Sequence, residues 1–569
     1  MSAARPNKRG STAVRRLLQP YNLLTGLAVL SLFVLILYPI GRMLLRTFFP
    51  EGGANFSAAS KLLAEPWLLS VLTQTSIAIG VSTIFSVALG AILAWLNERT
   101  DANLGVLGTI LPIVPLLMPS IALSIGWVFI AAPNVGLLNS LLVWLTGDGG
   151  PQVNIYSWTG LIWVYTIHGV PYAYLVVTAA LRNLDPALEE ASRINGAGLM
   201  RTMFRVSLPS IMPALAASLL LVLISGIGTY SIPAIIATTA QIDLFPTRMV
   251  HLLTKDYPPK IAEAQMLGVV MLVVVVACWL LQRRISANGQ FVTVGGRASG
   301  SAQLPMGPWR IPARLLMLGY LAAASLIPLM ALALVSLQRF WTPVIDVSKF
   351  TLFHYQQVLF ENRITASAFK NSILLSSVGA TVAMTIAVIT AIYAAFHSSL
   401  FSKFVDFVIK SPATIPALVI SLSFLTTFSG APFYLSGTML ILMLAFIVIY
   451  IPPGAISATA AITQVGRDLR EASYVAGANE GRTIRRVVLP LALPGFAAGW
   501  TLVFVHMMGD LSASALLSGV RTPVIGFAIL TIWETASFGL LAAFSTIMCL
   551  LSATVVGLMT WLVRLNTRR

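Results

Sequence analysis

Long apolar runs separated by short polar segments make up most of the chain. Runs at residues 27–38, 266–281 and 439–451, taken with their flanks, approach the roughly 20 residues that a helix needs to cross a bilayer core. A spanning β-barrel would instead show short segments of alternating apolar and polar residues. The pattern therefore predicts an all-α polytopic membrane protein that lies in a lipid bilayer.

Counting the runs predicts about twelve transmembrane helices, six in each half of the chain. Their approximate positions are residues 22–40, 69–96, 105–130, 158–181, 209–232, 264–282, 313–336, 371–396, 405–428, 437–459, 490–509 and 539–563. The first run follows basic residues, as in a signal peptide, but it continues to residue 40 without a small-residue cleavage site. We therefore expect it to remain as the first helix.

Composition supports this class, and the charge distribution predicts an orientation. Of the 569 residues, 57% are hydrophobic and 10% are charged, whereas soluble domains carry about 25% charged residues. With the N-terminus in the cytoplasm, 25 of the 36 Lys and Arg residues fall on cytoplasmic segments, while Asp and Glu divide nearly evenly. This is the positive-inside bias. The net charge of +17 therefore predicts cytoplasmic termini and no nucleic-acid partner.

One polar segment occurs twice, 281 residues apart. Residues 188–197 (LEEASRINGA) return as residues 469–478 (LREASYVAGA), and each copy continues to a Leu-Pro pair. Further upstream, Pro115 and Pro119 match Pro412 and Pro416 at an offset of 297 residues. Six helices per half place both copies on the same membrane face, as in a parallel repeat.

The repeat divides the chain into two halves. We expect residues 1–282 to form the first half, with a transmembrane core at about 69–282 and a first motif loop at 184–208. Residues 313–569 form the second half, with a core at about 368–563 and a second motif loop at 465–489. Residues 283–312, which are rich in Gly, Ser, Pro and Arg, read as a cytoplasmic linker.

The composition of the first motif loop predicts two short helices along the membrane surface. Asp185 can cap a helix that begins at Pro186, and Glu189 and Glu190 lie near its start, where the helix dipole favours negative charge. Gly196 then allows a turn that most residues resist. The second loop has Gly and Arg at the two cap positions, so its start is less well capped.

The repeated pattern resembles the signature loop of binding-protein-dependent ABC importer permeases with the type I transmembrane fold. The third position of the family's Glu-Ala-Ala motif, most often Ala, is Ser192 in one copy and Ser473 in the other. The positions that match the motif are Glu190, Ala191, Gly196, Leu208 and Pro209 in the first half and Glu471, Ala472, Gly477, Leu489 and Pro490 in the second.

The resemblance implies that each motif loop is a coupling loop that docks on an ABC ATPase subunit, with two such subunits per permease. The ATP then lies on the partner, so this chain is expected to bind no cofactor and to hold no catalytic residue. A Gly-x-x-x-x-Gly-Lys-[Ser/Thr] loop is missing from the sequence. A soluble periplasmic or extracellular binding protein would deliver the substrate, and the permease would lie in the bacterial inner (plasma) membrane.

Ionisable residues inside spans mark candidate pathway positions. His168 and His506 lie within predicted spans, and Asp510 lies near the outer end of one; Thr229 matches Asp510 in the first half. We consider Thr229, His506 and Asp510 as possible translocation-pathway residues. A structural hydrogen-bonded role stays open for both histidines, and a solvated helix end stays open for Asp510. The scattered His, Cys and carboxylate residues predict no metal site.

The segment from Asp510 onward resembles the fused two-domain permeases of the ferric-iron subgroup, in which Glu is common at that position. The resemblance implies ferric iron as the substrate. Related subgroups that transport 2-aminoethylphosphonate, thiamine or polyamines are alternatives. Two rivals come from other classes: a secondary transporter, which would lack the paired motif, and a membrane enzyme, which would need converging catalytic residues.

Overall fold

The computed structural model describes residues 20–49, 53, 56–105, 107–108, 113–147, 150–288, 303–397 and 399–567. Within these ranges the chain is helical and forms no β-strand, apart from two isolated bridges. The predicted all-α class is confirmed.

The first half contains thirteen α-helices in the described ranges. They are α1 (Pro20–Phe48), α2 (Ser57–Ala64), α3 (Trp67–Arg99), α4 (Ile113–Leu117), α5 (Ser120–Ala131), α6 (Leu137–Thr146), α7 (Trp158–Asn183), α8 (Pro186–Ile194), α9 (Leu199–Thr202), α10 (Leu208–Ser210), α11 (Met212–Gly228), α12 (Phe245–Thr254) and α13 (Ile261–Asn288). π-helical turns at Met203–Ser207 and Pro233–Ala237 follow α9 and α11.

The second half follows the same order. Its helices are α14 (Arg310–Leu321), α15 (Ile327–Leu337), α16 (Phe353–Gln356), α17 (Arg363–Phe396), α18 (Leu400–Lys410), α19 (Ala417–Phe428), α20 (Met439–Gln464), α21 (Arg467–Val475), α22 (Glu480–Thr483), α23 (Leu489–Met508), α24 (Ser512–Leu517), α25 (Ile525–Glu534) and α26 (Phe538–Thr567). π-helical turns lie at Ala322–Leu326, Gln357–Glu361 and Ile484–Val488, and 3-10 turns at Gly307–Trp309, Val347–Lys349 and Ser411–Thr414.

Nine helical stretches in the described ranges are long and apolar enough to cross a membrane, and two bent pairs raise the number to eleven. The run predicted at 105–130 differs, because it holds the short helices α4 and α5. Proline lacks a backbone N–H and so removes a hydrogen bond from a helix, and Pro119 immediately precedes α5. The same break recurs before Pro416, where the chain bends by 97°.

Matched hydrogen bonds place the repeat in three dimensions. The Thr75 hydroxyl on α3 accepts from the backbone N–H of Phe245 at 3.1 Å. The Ser372 hydroxyl on α17 accepts from the N–H of Ile525 at 2.8 Å. Thr75 and Ser372 differ by the same 297 residues as the paired prolines. The helices α12 and α25 therefore lie against equivalent positions of the two halves.

The first membrane-spanning stretch of each half, which is α1 in the first half and Gly307–Leu337 with α15 in the second, packs on the other half. Helix α1 packs on α19, and α15 packs on α5. The Thr427 hydroxyl on α19 donates to the carbonyl of Pro39 at 3.3 Å. On the other side, a Cβ added to Gly126 would lie only 2.6 Å from the Cβ of Pro328, so the glycine permits close approach. The two halves thus interlock.

The last part of the predicted linker and the start of α14 dock on the end of α3, and we call residues 303–314 the linker clamp. The Leu304 N–H donates to the Arg99 carbonyl at 2.9 Å, and its carbonyl accepts from Asp101 at 3.1 Å. The Met306 N–H bonds the Asp101 carboxylate at 3.0 Å, and Arg314 donates to backbone carbonyls of residues 101–103. Residues 289–302 of the predicted linker lie outside the described residues.

Candidate functional site

The two motif loops lie on the membrane face where α3, α7 and α20 end. In the first loop, the Asp185 side chain accepts from the N–H of Ala187 at 3.0 Å, and Pro186 opens α8. In the second loop, Gly466 with φ of 71° precedes α21, and no side chain caps it. The difference in capping follows the difference expected from the sequence.

A left-handed glycine ends the first helix of each loop. Gly196 has φ of 78° and Gly477 has φ of 79°. The same two backbone hydrogen bonds close the turn in each loop. In the first loop the N–H of Gly196 donates to the Arg193 carbonyl and the N–H of Ala197 donates to the Ser192 carbonyl. In the second loop the N–H of Gly477 donates to the Tyr474 carbonyl and the N–H of Ala478 donates to the Ser473 carbonyl. This 5→2 and 6→1 pattern is a Schellman motif. The turn expected at Gly196 is therefore present in both loops.

The motif positions divide into exposed and half-buried groups in the same way in both loops. Glu190, Ala191, Gly196 and Pro209 are exposed, as are Glu471, Ala472, Gly477 and Pro490, while Leu208 and Leu489 are half-buried. A partner on this face can therefore touch the acidic and glycine positions directly. The Leu residues instead pack against the apolar core.

Matched apolar residues at the loop tips were missed by the sequence reasoning. Ile194 is 87% exposed, and Val475, at the same motif position, is 90% exposed. Leu188 and Leu469, also equivalent, are each about half exposed. Large apolar side chains left open at the same place in two copies indicate an interaction surface. The signal was present in the repeat, since both positions are apolar within otherwise polar segments.

The serine that replaces the family's usual alanine makes the same hydrogen bond in both loops. The Ser192 hydroxyl lies 3.1 Å from that of Thr202, and the Ser473 hydroxyl lies 2.9 Å from that of Thr483. Each pair joins the first short helix of its loop to the second. The departure from alanine therefore ties the two helical pieces together.

The fastening of each loop to the membrane helices differs between the halves. Glu189 on α8 is buried, lies 3.6 Å from the Arg99 guanidinium and accepts from the Ser207 hydroxyl at 2.6 Å. Arg99 also donates to the carbonyls of Leu181 and Leu184 at the end of α7. The carboxylate and its charged partner thus lock the first loop to α3 and α7.

In the second loop Arg470 stands where the first has Glu189. Its guanidinium lies 5.4 Å from the centre of the Phe396 ring and donates to the Ala395 carbonyl at 2.9 Å. Phe396 is the equivalent of Arg99 at an offset of 297 residues. Beside it, burial raises the pKa of Tyr474 above its ordinary value, and the charge of Glu480 adds to this effect. The second fastening is an exposed cation–π contact.

The candidate pathway residues lie along the seam between the two halves. Asp510 is buried and its carboxylate accepts from the Tyr450 hydroxyl at 2.6 Å and from the N–H groups of Ala513 and Ser514. It therefore caps α24. Thr229, its counterpart, ends α11 and donates to the carbonyl of Ser225.

Each of the two histidines lies beside a tyrosine ring. The His506 ring stacks near Tyr450, with centroids 6.1 Å apart and planes at 16°. The His168 ring meets the Tyr172 ring edge-on, with centroids 5.8 Å apart. Sequence reasoning found the histidines and Asp510 but not the tyrosines. No group of three His, Cys, Asp or Glu side chains in the described ranges is placed to hold a metal ion.

Glycine and proline form matched contacts along the same seam. A Cβ on Gly509 would lie 2.6 Å from Pro119 of the other half, whereas a Cβ on Gly228 would lie 3.9 Å from Pro416. At the face opposite the motif loops, Lys255 after α12 pairs with Glu534 of α25 at 2.7 Å. Contacts between the halves therefore extend from the face opposite the motif loops into the interior.

Comparisons with known proteins place the chain among transport proteins. The family model of binding-protein-dependent transport system inner membrane components matches residues 86–287 and 383–569. The ferric transport system permease protein FbpB of Actinobacillus pleuropneumoniae is 24% identical over 547 residues, spanning 94% of this chain and 77% of that protein. The putative ferric transport system permease protein FbpB 1 of Haemophilus influenzae is 24% identical over 506 residues, spanning 87% of this chain and 78% of that protein.

Two further similar proteins align with a smaller part of this chain. The probable ABC transporter permease protein y4fN of Sinorhizobium fredii is 27% identical over 428 residues, which is 73% of each chain. A solved bacterial ABC transporter involved in the import of the acidic polysaccharide alginate has a chain with 22% identity and a TM-score of 0.39, covering 49% of this chain and 99% of that one.

Proposed function

This chain belongs to the family of binding-protein-dependent transport system inner membrane components, and on that premise we propose that it forms the whole path for ferric iron in an ATP-driven importer. Membership makes it an ABC importer permease, a multi-pass protein of the bacterial inner membrane and not an enzyme. Because both halves occur in one chain, one copy supplies the two walls of the path.

The matched geometry of the motif loops carries the proposed mechanism. Two loops with the same turn, the same Ser–Thr bond and the same exposed tip on one face suit two identical partners. We place an ABC ATPase subunit on each loop, with ATP held by those subunits. Closure of the ATPase pair would bring the loops together. The path along the seam would then close on the cytoplasmic side and open on the outer side of the membrane.

The proposed orientation puts the motif loops and both termini in the cytoplasm. The positive-inside bias supports it, since the loops hold eight of the Lys and Arg residues. The face that carries Lys255 and Glu534 then points outward, toward a soluble binding protein that delivers the substrate. Their exposed ion pair joins the halves there and would separate when the path opens outward.

The proposed path runs along the seam past Thr229, His506 and Asp510, with Tyr450 beside them. Carboxylate and phenol oxygens and imidazole nitrogen are groups that ferric iron accepts as ligands. Asp510 already serves as a helix cap and as the acceptor for Tyr450, so the seam suits passage of a metal and not its storage. The names of two relatives that align over most of the chain support iron as the substrate.

Uptake of radiolabelled ferric iron tests the substrate. Cells with and without this chain would be compared before and after ATP depletion, with 2-aminoethylphosphonate, thiamine and spermidine as competitors. We expect uptake that needs the chain and ATP and that no competitor reduces. Unchanged iron uptake on deletion would remove iron, and inhibition by one competitor would make that compound the substrate. Uptake that survives ATP depletion while ion gradients persist would indicate a secondary transporter instead.

Docking of the ATPase is tested separately by the acidic motif positions. Replacing both Glu190 and Glu471 with Lys is expected to reduce co-purification of the ATPase by about tenfold or more, because two exposed contacts change sign. The chain should still insert, since neither residue contacts the membrane core. Normal co-purification and normal uptake in the double variant would contradict coupling through these loops.

A further inference from the structure

A small polar cavity lies inside the first half, where α3, α7 and α11 pack together. Its polar lining consists of Ser82, Thr83, Tyr165, His168 and Ser225. The space open to the centre of a water-sized sphere is about 10 Å³, close to the minimum that one water molecule requires.

Two hydroxyl groups at this cavity have no hydrogen-bond partner among the described residues. They are the Oγ1 of Thr83 and the Oη of Tyr165, on side chains that are 2% and 3% exposed. A buried hydroxyl without a partner is rare in native proteins, because burial removes its bonds to bulk water. Both groups border the same small space, so one bound molecule can satisfy both.

The second half lacks both hydroxyls at the equivalent positions. Ala380 replaces Thr83, and Phe446 replaces Tyr165. Phenylalanine is tyrosine without its hydroxyl, and alanine likewise has no polar atom. The two hydroxyls therefore occur together in one half and are missing together in the other, as expected of groups that share one ligand.

Two small residues at the cavity are replaced by large ones in the second half. Tyr450 and His506 stand where the first half has Gly169 and Ser225. The two rings belong to the seam cluster with Asp510. One half thus fills this position with aromatic rings, whereas the other combines small residues with unpaired hydroxyls.

We propose that the first half binds one water molecule in this cavity, bridging the hydroxyls of Thr83 and Tyr165 and reaching the ring of His168. A buried water makes about three hydrogen bonds, which these three groups provide. The lining contains no carboxylate, so a cation would lose its hydration without a compensating charge. By bonding one ring nitrogen, the water would fix the orientation of the His168 ring. The inference is independent of the transported substrate.

A double-mutant cycle on the full-length chain in detergent tests the bridge. Thr83→Val and Tyr165→Phe, which keep shape, would be compared singly and together in a Cys278→Ala background. A thiol-reactive dye would follow thermal unfolding through Cys549, which is buried. We expect each single variant to unfold about three- to fivefold faster. The double variant should unfold no faster than the worse single variant, because the first change already removes the shared water.

A matched control uses a hydroxyl on the same helix that does not share the cavity. The Tyr174 hydroxyl donates directly to the Gly108 carbonyl at 3.2 Å. In the double variant Thr83→Val with Tyr174→Phe, the effects of the two changes on the unfolding rate should therefore multiply. The bridge would be overturned if the effects of Thr83→Val and Tyr165→Phe on the unfolding rate multiply in the double variant. It would also be overturned if neither single variant changes the unfolding rate. Slower unfolding of the unsubstituted chain in Na⁺ than in K⁺, lost in Thr83→Val, would overturn water in favour of a bound cation.

Discussion

The two motif loops share a backbone but differ in how they are fastened to the membrane helices. In the first loop a buried carboxylate meets a buried guanidinium, Glu189 with Arg99. In the second loop an exposed guanidinium lies over a ring, Arg470 with Phe396. The positions are equivalent, yet the charge on the loop is reversed. The repeat therefore conserves the surface offered to a partner while allowing each half its own internal attachment.

The largest expected effect comes from removing the buried carboxylate. Glu189→Ala leaves Arg99 charged and buried without its partner, which costs about 3–5 kcal/mol. Arg470→Ala in the other loop removes an exposed contact that contributes about 0.5–1 kcal/mol. Thermal unfolding of the purified variants compares the two. Equal losses of stability in the two variants would show that the two fastenings contribute equally, which would contradict the difference between the two loops.

A rescue variant sharpens this result. In Glu189→Leu combined with Arg99→Met no charge remains buried, and well-packed apolar residues often replace a buried ion pair without loss. We expect most of the stability to return. If the double variant is as unstable as Glu189→Ala, the loss comes from the Ser207 hydrogen bond or from packing and not from the unpaired charge.

The glycine turns should respond alike in both loops. Gly196→Val and Gly477→Val each force a β-branched residue into a left-handed backbone at φ near 78° and 79°, at about 2–3 kcal/mol. No atom lies within 4 Å of an added Cβ at either position, so the cost comes from the backbone alone. ATP-dependent uptake measures coupling, and Ser at the same positions serves as a milder control. Unchanged uptake would count against the turn as part of the docking surface.

The apolar tips test whether the partner contacts both loops equally. Ile194→Ala and Val475→Ala each remove an exposed side chain whose burial against a partner contributes about 1–2 kcal/mol. We expect the ATPase to bind about tenfold more weakly in each case, with the stability of the chain unchanged. Titration of the purified ATPase provides the measurement. A loss confined to one tip would mean that only one loop docks through its apolar residue.

The smallest expected effect concerns the serine that replaces alanine. Ser192→Ala and Ser473→Ala each remove one hydroxyl bond to threonine, worth about 0.5–1.5 kcal/mol, and restore the residue most common in the family. The two losses should be equal within about 0.5 kcal/mol. A clearly larger loss in one loop would reveal a further difference in fastening.

Much of the fold follows from the sequence because its determinants are local. The helix class, the repeat and the left-handed turns depend on apolar run length and on Gly and Pro at fixed spacings. The burial of Glu189 does not, because its partner Arg99 lies 90 positions earlier. From the local pattern, Glu189 is only an acid near a helix start. Likewise, the broken span at Pro119 contains the prolines that explain it, but its apolar run alone reads as continuous.

The candidate site divides in the same way. His168, His506 and Asp510 stand out because charge is rare in apolar runs, whereas Tyr450 is one aromatic residue among many in such runs. Its hydrogen bond to Asp510 spans 60 positions and emerges only when α20 and α23 pack. The cavity beside His168 is lined by the small residues Gly169 and Ser225, where the second half has two aromatic rings. This difference becomes visible only when the sequences of the two halves are aligned.

The linker clamp implies that covalent continuity is not what holds the halves together. A gene split at a codon between 289 and 302 would leave residues 303–314 on the second polypeptide, with their bonds to the end of α3 intact. Helices α1 and α15 would still cross to the opposite half. We therefore expect the two co-expressed products to assemble. Fusion then secures equal dosage of two unlike subunits and prevents pairing of two identical ones.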